Sequence, residues 1–132
     1  MRTRNVLRGV AATALTLSAL GLGMGTANAA EKDGYLTDFE FGLFCQDNQE
    51  NSVFDLFASD KNFGDDYFKG SRSCAGQMVN DNTRSYLNKS GCGYWVLTNI
   101  NWQGNQGWIP DGYRGNASET FRNKISSALM GC

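Results

Sequence analysis

The residues with the most chemistry to offer in this 132-residue chain are four cysteines, Cys45, Cys74, Cys92 and Cys132, and no histidine stands anywhere beside them. Without an imidazole there is no Ser–His or Cys–His pair of the usual kind to activate a nucleophile. The missing histidines and the absence of Cys-x-x-Cys spacing also argue against a zinc centre. An even cysteine count in a small chain that carries an export signal reads as two disulfides. Oxidised cysteines are not nucleophiles. Asp65 and Asp66 form an adjacent acidic pair, but neighbours on an extended chain point to opposite sides, so the pair reads as part of a solvated loop. The chemistry expected is therefore recognition without catalysis or cofactor.

Export is read from the first 29 residues. Arg2, Arg4 and Arg8 precede an apolar, small-residue run over Gly9–Met24, and Ala27-Asn28-Ala29 has the small-x-small form of a cleavage site. The run is short and has no stop-transfer pattern after it, so a secretory signal peptide is expected rather than a membrane span. Cleavage after Ala29 would leave 103 residues, a single small domain, with nine basic and thirteen acidic side chains, a net charge of −4. No cluster of Lys or Arg accompanies the aromatics, which excludes a nucleic-acid groove. Residues 30–38 are polar and expected to be loose; residues 39–132 are expected to form the domain. A secreted monomer, free of the membrane after cleavage, is the expectation.

The elements that must position these residues are short. Phe39, Phe41, Leu43 and Cys45 alternate with Glu40, Gly42 and Phe44, the period of a half-buried strand. Ser52–Ala58 reads as a second strand, Tyr67–Lys69 as a short one and Ser85–Lys89 as another. Gly93–Thr98 leads into V-L-T-N-I-N-W-Q-G-N-Q-G-W-I-P-D-G (Val96–Gly112), two strands joined by a folded-over loop. Gly104 is expected at φ > 0, with Trp102 lying back across the loop as a cover. An extended piece near Ala117–Phe121 and a strand over Ser126–Met130 complete the chain. No segment has a convincing helical period, so the class expected is an all-β sandwich or barrel.

The halves look alike. V-N-D-N-T-R-S-Y-L-N (Val79–Asn88) and F-R-N-K-I-S-S-A-L-M (Phe121–Met130) place Ser85 and Ser127 alike, each after a polar turn and before a strand. Phe63-Gly64 and Trp102-Gln103-Gly104 are aromatic-plus-glycine loops. On these residues the chain resembles the βγ-crystallin superfamily, whose Greek-key motif is an aromatic, a short gap, an aromatic-x-Gly and a serine roughly thirty residues on. Trp102, Gly104 and Ser127 match it, with Leu97 where an aromatic is usual. The resemblance implies that Ser85 and Ser127 hydrogen-bond to folded hairpins. The first half admits two registers, one through Phe57, Phe63 and Gly64, the other with Phe39–Asp47 and Ser52–Phe57 as its first two strands. The second is preferred because it buries Phe39, Phe41 and Leu43. In a Greek key of this type the strand after Cys92 and the strand ending at Cys132 are neighbours, which implies the pairs Cys92–Cys132 and Cys45–Cys74.

Within the superfamily, G-L-F-C-Q-D-N, N-D-N-T-R-S-Y-L-N and R-N-K-I-S-S look like the bacterial peptidase inhibitor family I36. That resemblance implies inhibition of a secreted peptidase by a rigid surface loop, although no inhibitory residue is identified from it. The alternatives are a calcium-binding structural module and an antimicrobial, toxin-like exported protein. Calcium-binding superfamily members use N/D-N/D-x-x-S/T-S turns that cross between halves, and oxygen donors suit that hard cation. Here the turns are Asn80–Ser85, with Arg84 in the fifth place, and Arg122–Ser127, with Arg122 in the first. If the crossing is kept, Asn80, Asp81 and Ser126 meet at one weak site, while Arg84 and Arg122 meet at the other and repel a cation.

Overall fold

The computed structural model describes residues 30–132; the expected signal peptide lies outside the described residues. Among the described residues, seven strands carry the fold: β1 (Phe41–Gln46), β2 (Glu50–Leu56), β3 (Ser85–Asn88), β4 (Tyr94–Asn99), β5 (Gln103–Ile109), β6 (Arg114–Asn116) and β7 (Ser127–Met130). Two short 3-10 turns, Asp47–Gln49 and Phe63–Asp65, interrupt them. One sheet has the order β2-β1-β3-β6 and the other β5-β4-β7, with all named pairs antiparallel. Asp60 adds a single bridge to Ala128 at the free edge of β7. The third segment of each half therefore joins the sheet of the other half: Asp60 reaches β7, and β6 pairs with β3. This is an all-β sandwich of two Greek-key motifs.

The preferred register of the first half is the one present, with β1 and β2 as its opening hairpin. One expectation fails there. Phe39 is 74% exposed, at φ 70°, and β1 begins only at Phe41. The alternation also gives way, because Phe41 to Cys45 are all buried. The even face is closed by the preceding segment: a Cβ on Gly42 would press on Leu36. Residues 31–38, expected to be loose, cover this side of the sheet and hydrogen-bond to it, with Lys32 N–H donating to the Asp55 carbonyl. Tyr67–Lys69 forms no strand, only a Tyr67–Met78 bridge. The extended third piece of the second half is Arg114–Asn116, while Ser118 to Lys124 is a run of turns closed by Phe121, Arg122 and Lys124 N–H groups.

The core lies between the sheets. Phe41 of β1 stacks on Tyr94 of β4 with ring centroids 4.3 Å apart and planes within 9°. A pair of this kind contributes about 1 kcal/mol beyond its area burial. Phe54 meets Phe63 edge-on at 5.1 Å. Val96, Ile109, Ile125 and Ala128 close the core from the second half. The disulfides are Cys45–Cys74, with Cα atoms 6.6 Å apart, and Cys92–Cys132, at 5.2 Å. Each ties a strand end to a distant segment of its own half. On the chain-entropy account each loop closure contributes about 3–4 kcal/mol.

The β4–β5 hairpin folds over as its sequence implies. Asn101 and Trp102 have φ of 60°, and Gly104 has φ of 86°. A Cβ on Gly104 would run into Thr98 Oγ1 and crowd the Asn99 amide at 3.0 Å. Gly104→Val combines that overlap with a left-handed backbone and is expected to destabilise the protein by about 2 kcal/mol or more. Chemical denaturation with an unchanged midpoint would contradict this reading of the hairpin.

Candidate functional site

Each hairpin is held by a buried serine. Ser85 Oγ donates to the Gln46 carbonyl at 2.6 Å and accepts from the Gln49 N–H at 2.9 Å. Ser127 Oγ donates to the Asn99 carbonyl at 2.7 Å and accepts from the Trp102 N–H at 3.2 Å. The arrangement aligns Gln49 with Trp102 and Asn51 with Gly104. Asn51, at φ 70°, occupies the glycine-type position. Sequence reading misses this, because the first hairpin lacks both the aromatic and the glycine that mark the second. Trp102 donates its indole N–H to the Ala128 carbonyl at 3.0 Å and stays 40% exposed.

The two polar turns cross. Asp81 N–H donates to the Ile125 carbonyl, and Asn123 N–H donates to the Thr83 carbonyl. On one side Asn80, Asp81 and Ser126 line a shared surface pocket with Ile100. Ser126 Oγ lies 3.4 Å from Asp81 Oδ1, and the buried Asn80 Oδ1 has no hydrogen-bond partner. On the other side Arg84 and Arg122 do meet, on a residue that sequence reading did not single out. Asp47 accepts from both Arg122 NH groups and lies 3.4 Å from Arg84. Its carboxylate is the centre of an Arg–Asp–Arg bracket, which leaves that side with cations already in place. Asp47 stands 37 and 75 residues from its partners, so no local pattern signals it.

A second cluster fastens the N-terminal segment. Lys32 Nζ sits 2.8 Å from Asp60 and 3.1 Å from Asp66, whose side chains are both largely buried. Burial alone would lower the Lys32 pKa, but hydrogen bonds to the two carboxylates outweigh it and raise it. Burial, then the hydrogen bond with Asp60, pushes Asp66 up to about 7. Burial also acts on Asp60, but its bonds with Asp66 and Lys32 hold it below the usual carboxylate range. Nearby, Asp55 accepts from the Gly34 and Asp33 N–H groups, and burial pushes it up to about 6 against those bonds. Asp65 and Asp66 thus have separate fates: Asp65 is exposed and Asp66 is part of the clasp.

A third feature is the loop between Tyr67 and Met78. The bridge between those residues closes its base. Phe68 is buried beneath it, and Cys74 ties its far limb to β1. Inside it, Ala75 N–H donates to the Arg72 carbonyl and Gly76 N–H to the Phe68 carbonyl. Asn51 braces it from β2, accepting from Cys74 N–H at 3.0 Å and donating to Ser73 Oγ at 2.8 Å. Lys69 to Ser73 are exposed at its tip. Only one of the two cysteines, Cys74, lies in the loop, and its partner Cys45 is in β1, which is why cysteine spacing alone did not reveal it.

No protein-family model matches the chain, and no curated protein matches it. A solved structure titled "Evolution of the eye lens beta-gamma-crystallin domain fold" is similar, with a TM-score of 0.58, 80% of this chain and 93% of that chain covered, and 11% sequence identity. At that identity the likeness defines the fold alone, two antiparallel sheets in the βγ-crystallin arrangement; the two disulfides are seen in this chain itself. Among the described residues there is no group of three or more His, Cys, Asp or Glu side chains placed to hold a metal, and no helix is long and apolar enough to cross a membrane.

The carboxyl groups make stability depend on pH. Asp55 and Asp66 bind protons more tightly when folded than when unfolded. Their contribution is complete below about pH 4, the unfolded value, and is lost as pH rises through about 6–7. Asp60 has the opposite sign and loses its contribution as pH falls below about 4. Stability is therefore expected to peak near pH 4 and to be lower at pH 8 by about 2 kcal/mol or more, measured by urea denaturation at both values. A protein equally stable or more stable at pH 8 would contradict the burial of these carboxyls.

Proposed function

We propose that the protein is an exported, non-catalytic peptidase inhibitor that presents the Lys69–Ser73 tip as its contact loop. The single observation that carries this reading is the bracing of that loop by the Tyr67–Met78 bridge, the Cys45–Cys74 disulfide and the Asn51 bonds. An inhibitor gains affinity when its loop is already ordered before it enters a cleft. Arg72 is the exposed side chain of the tip best suited to a specificity pocket, as a long, permanently charged group. Lys69 is less free, because its Nζ donates to the Lys32 carbonyl at 2.9 Å. Export is supported by the signal-like N-terminus and by disulfides, which persist in oxidising compartments.

A panel of secreted serine, cysteine and metallopeptidases, assayed with the purified protein at micromolar concentration, tests the proposal. Inhibition of at least one is expected, with Arg72→Ala weakening it tenfold or more and leaving thermal stability unchanged. No inhibition across the panel, or full inhibition by Arg72→Ala, would overturn it.

A second reading, weak calcium binding, is favoured by the unpartnered, buried Asn80 Oδ1 beside Asp81 and Ser126. The donor set fits one hard cation loosely, with a single carboxylate to supply charge. The opposite crossing is taken by Arg84, Asp47 and Arg122. Calorimetric titration of chelator-treated protein is expected to show at most one site, in the range of about 0.1–1 mM, and Asp81→Ala is expected to abolish it. Two micromolar sites would show that the arginine bracket does not exclude the cation.

A further inference from the structure

We infer that the outer face of the three-stranded sheet is a binding platform for a neutral polysaccharide. All three tryptophans of the chain, Trp95, Trp102 and Trp108, belong to the β4–β5 hairpin. Register sets Trp108, Trp95 and Leu129 in one row across the three strands. Tyr94, Val96 and Ala128 face the core, so alternation turns that row outward. The two indoles are 4.8 Å apart, tilted by 50°.

Trp108 lies down on the sheet over Gly93 and Gly131: a Cβ on Gly93 would run into its ring, and one on Gly131 would come within 2.7 Å. It is nevertheless 44% exposed, so one side of a seated indole faces solvent. In the next row, Gln106, Leu97 and Ser127, the last two are buried although they point away from the core. The folded-back hairpin closes over them, with Trp102 bonded to Ser127 and Ala128 of β7.

The polar groups choose the ligand. Ser90 to Pro110 contains no Asp, Glu, Lys or Arg, in a chain that is 19% charged. On the tryptophan face the polar side chain in register is an amide, Gln106, one alternation from Trp108 and opposite Leu97; Asn99, Asn101, Gln103 and Asn105 lie at the hairpin's other end, towards the crossed turns. Each amide both donates and accepts, as a sugar hydroxyl does. Charged side chains enter at the margins: Lys61 beside Asn101, Asp111 beside Gly91, and Asp81 and Lys124 at the turn end of the hairpin. Protein interfaces favour arginine and a polar rim around an apolar centre. Here a flat apolar ring stands beside a second indole and a neutral donor–acceptor amide, Gln106. That combination suits a pyranose ring, which offers an apolar C–H face and a rim of hydroxyls, and gives an anionic or cationic polymer no counter-charge.

Sedimentation of the purified protein with insoluble cellulose, chitin and xylan, at low salt and at 1 M NaCl, tests this. Retention on at least one polymer is expected, with less than a twofold change in salt. Trp108→Ala is expected to weaken it tenfold or more, Trp108→Tyr to restore most of it, and Tyr113→Ala, a 59% exposed aromatic outside this face, to leave it unchanged. Melting temperatures of the variants separate lost binding from lost folding, and quenching or a blue shift of tryptophan emission with soluble oligosaccharides of the retained polymer reports contact directly. No retention on any polymer, retention abolished by salt, or a folded Trp108→Ala protein that binds like the parent would overturn the proposal. Loss of peptidase inhibition in Trp108→Ala without any polysaccharide retention would assign the face to a protein partner instead.

Discussion

Two buried hydroxyls hold the fold's least favourable backbone in place. Asn48 and Gln49 in one hairpin, and Asn101 and Trp102 in the other, adopt left-handed conformations that non-glycine residues rarely take. Such backbone costs about 1–3 kcal/mol per position and persists only where its surroundings over-determine it. Ser85 and Ser127 supply that determination. Each donates to the carbonyl that opens the hairpin and accepts from an N–H within the turn. Both are shut off from water, so removing the hydroxyl would leave a buried donor and acceptor unpaired.

Because these serines start β3 and β7, they also fix where the fourth strand of each half begins. The third segments then cross: Asp60 joins the sheet of the second half, and β6 joins the sheet of the first. Neither half can complete its sheet alone. The crossing brings the polar turns together and makes two similar sites from unlike residues. Asp47, Arg84 and Arg122 fill one with opposite charges, and Asn80, Asp81 and Ser126 leave the other with oxygens facing a pocket. Near-symmetry in backbone thus coexists with asymmetry in chemistry, and the disulfides sit in both halves without imposing a shared function.

Charge and aromatic surface are segregated on this frame. One group of acidic and basic side chains of the first half gathers where residues 31–40 are fastened, around Lys32, Asp55, Asp60 and Asp66. The β4–β5 hairpin, by contrast, has no charged residue and carries all the tryptophan. The long connection from β2 to β3 holds the exposed, braced loop at Lys69–Ser73. Three separate surfaces therefore come from one small scaffold, each built by a different inter-residue constraint: an ion cluster, a glycine-seated indole and a disulfide-framed turn.

The second hairpin was legible in the sequence because its signals are local. An aromatic, a glycine two residues on, and apolar runs on either side specify a turn that few other residues can make. The even cysteine count, the missing histidines and the turn before each serine were equally local, and with the resemblance they implied the class, the preferred register and both disulfide pairs. Phe39 misled because alternation predicts which residues share a face, not whether that face is covered; Leu36 covers one side of β1, and Phe39 falls outside the strand. The first folded hairpin was hidden because Gln49 and Asn51 take places where an aromatic and a glycine would be expected. The Asp47 bracket and the Lys32–Asp60–Asp66 cluster escaped because their members are separated by tens of residues. Sequence by itself determined the strand-and-turn vocabulary, which follows from side-chain shape and backbone preference at single positions. Tertiary structure alone decided which charges meet, which carboxyls lose their water and which loop is braced, because those depend on distances set by sheet pairing across the whole chain.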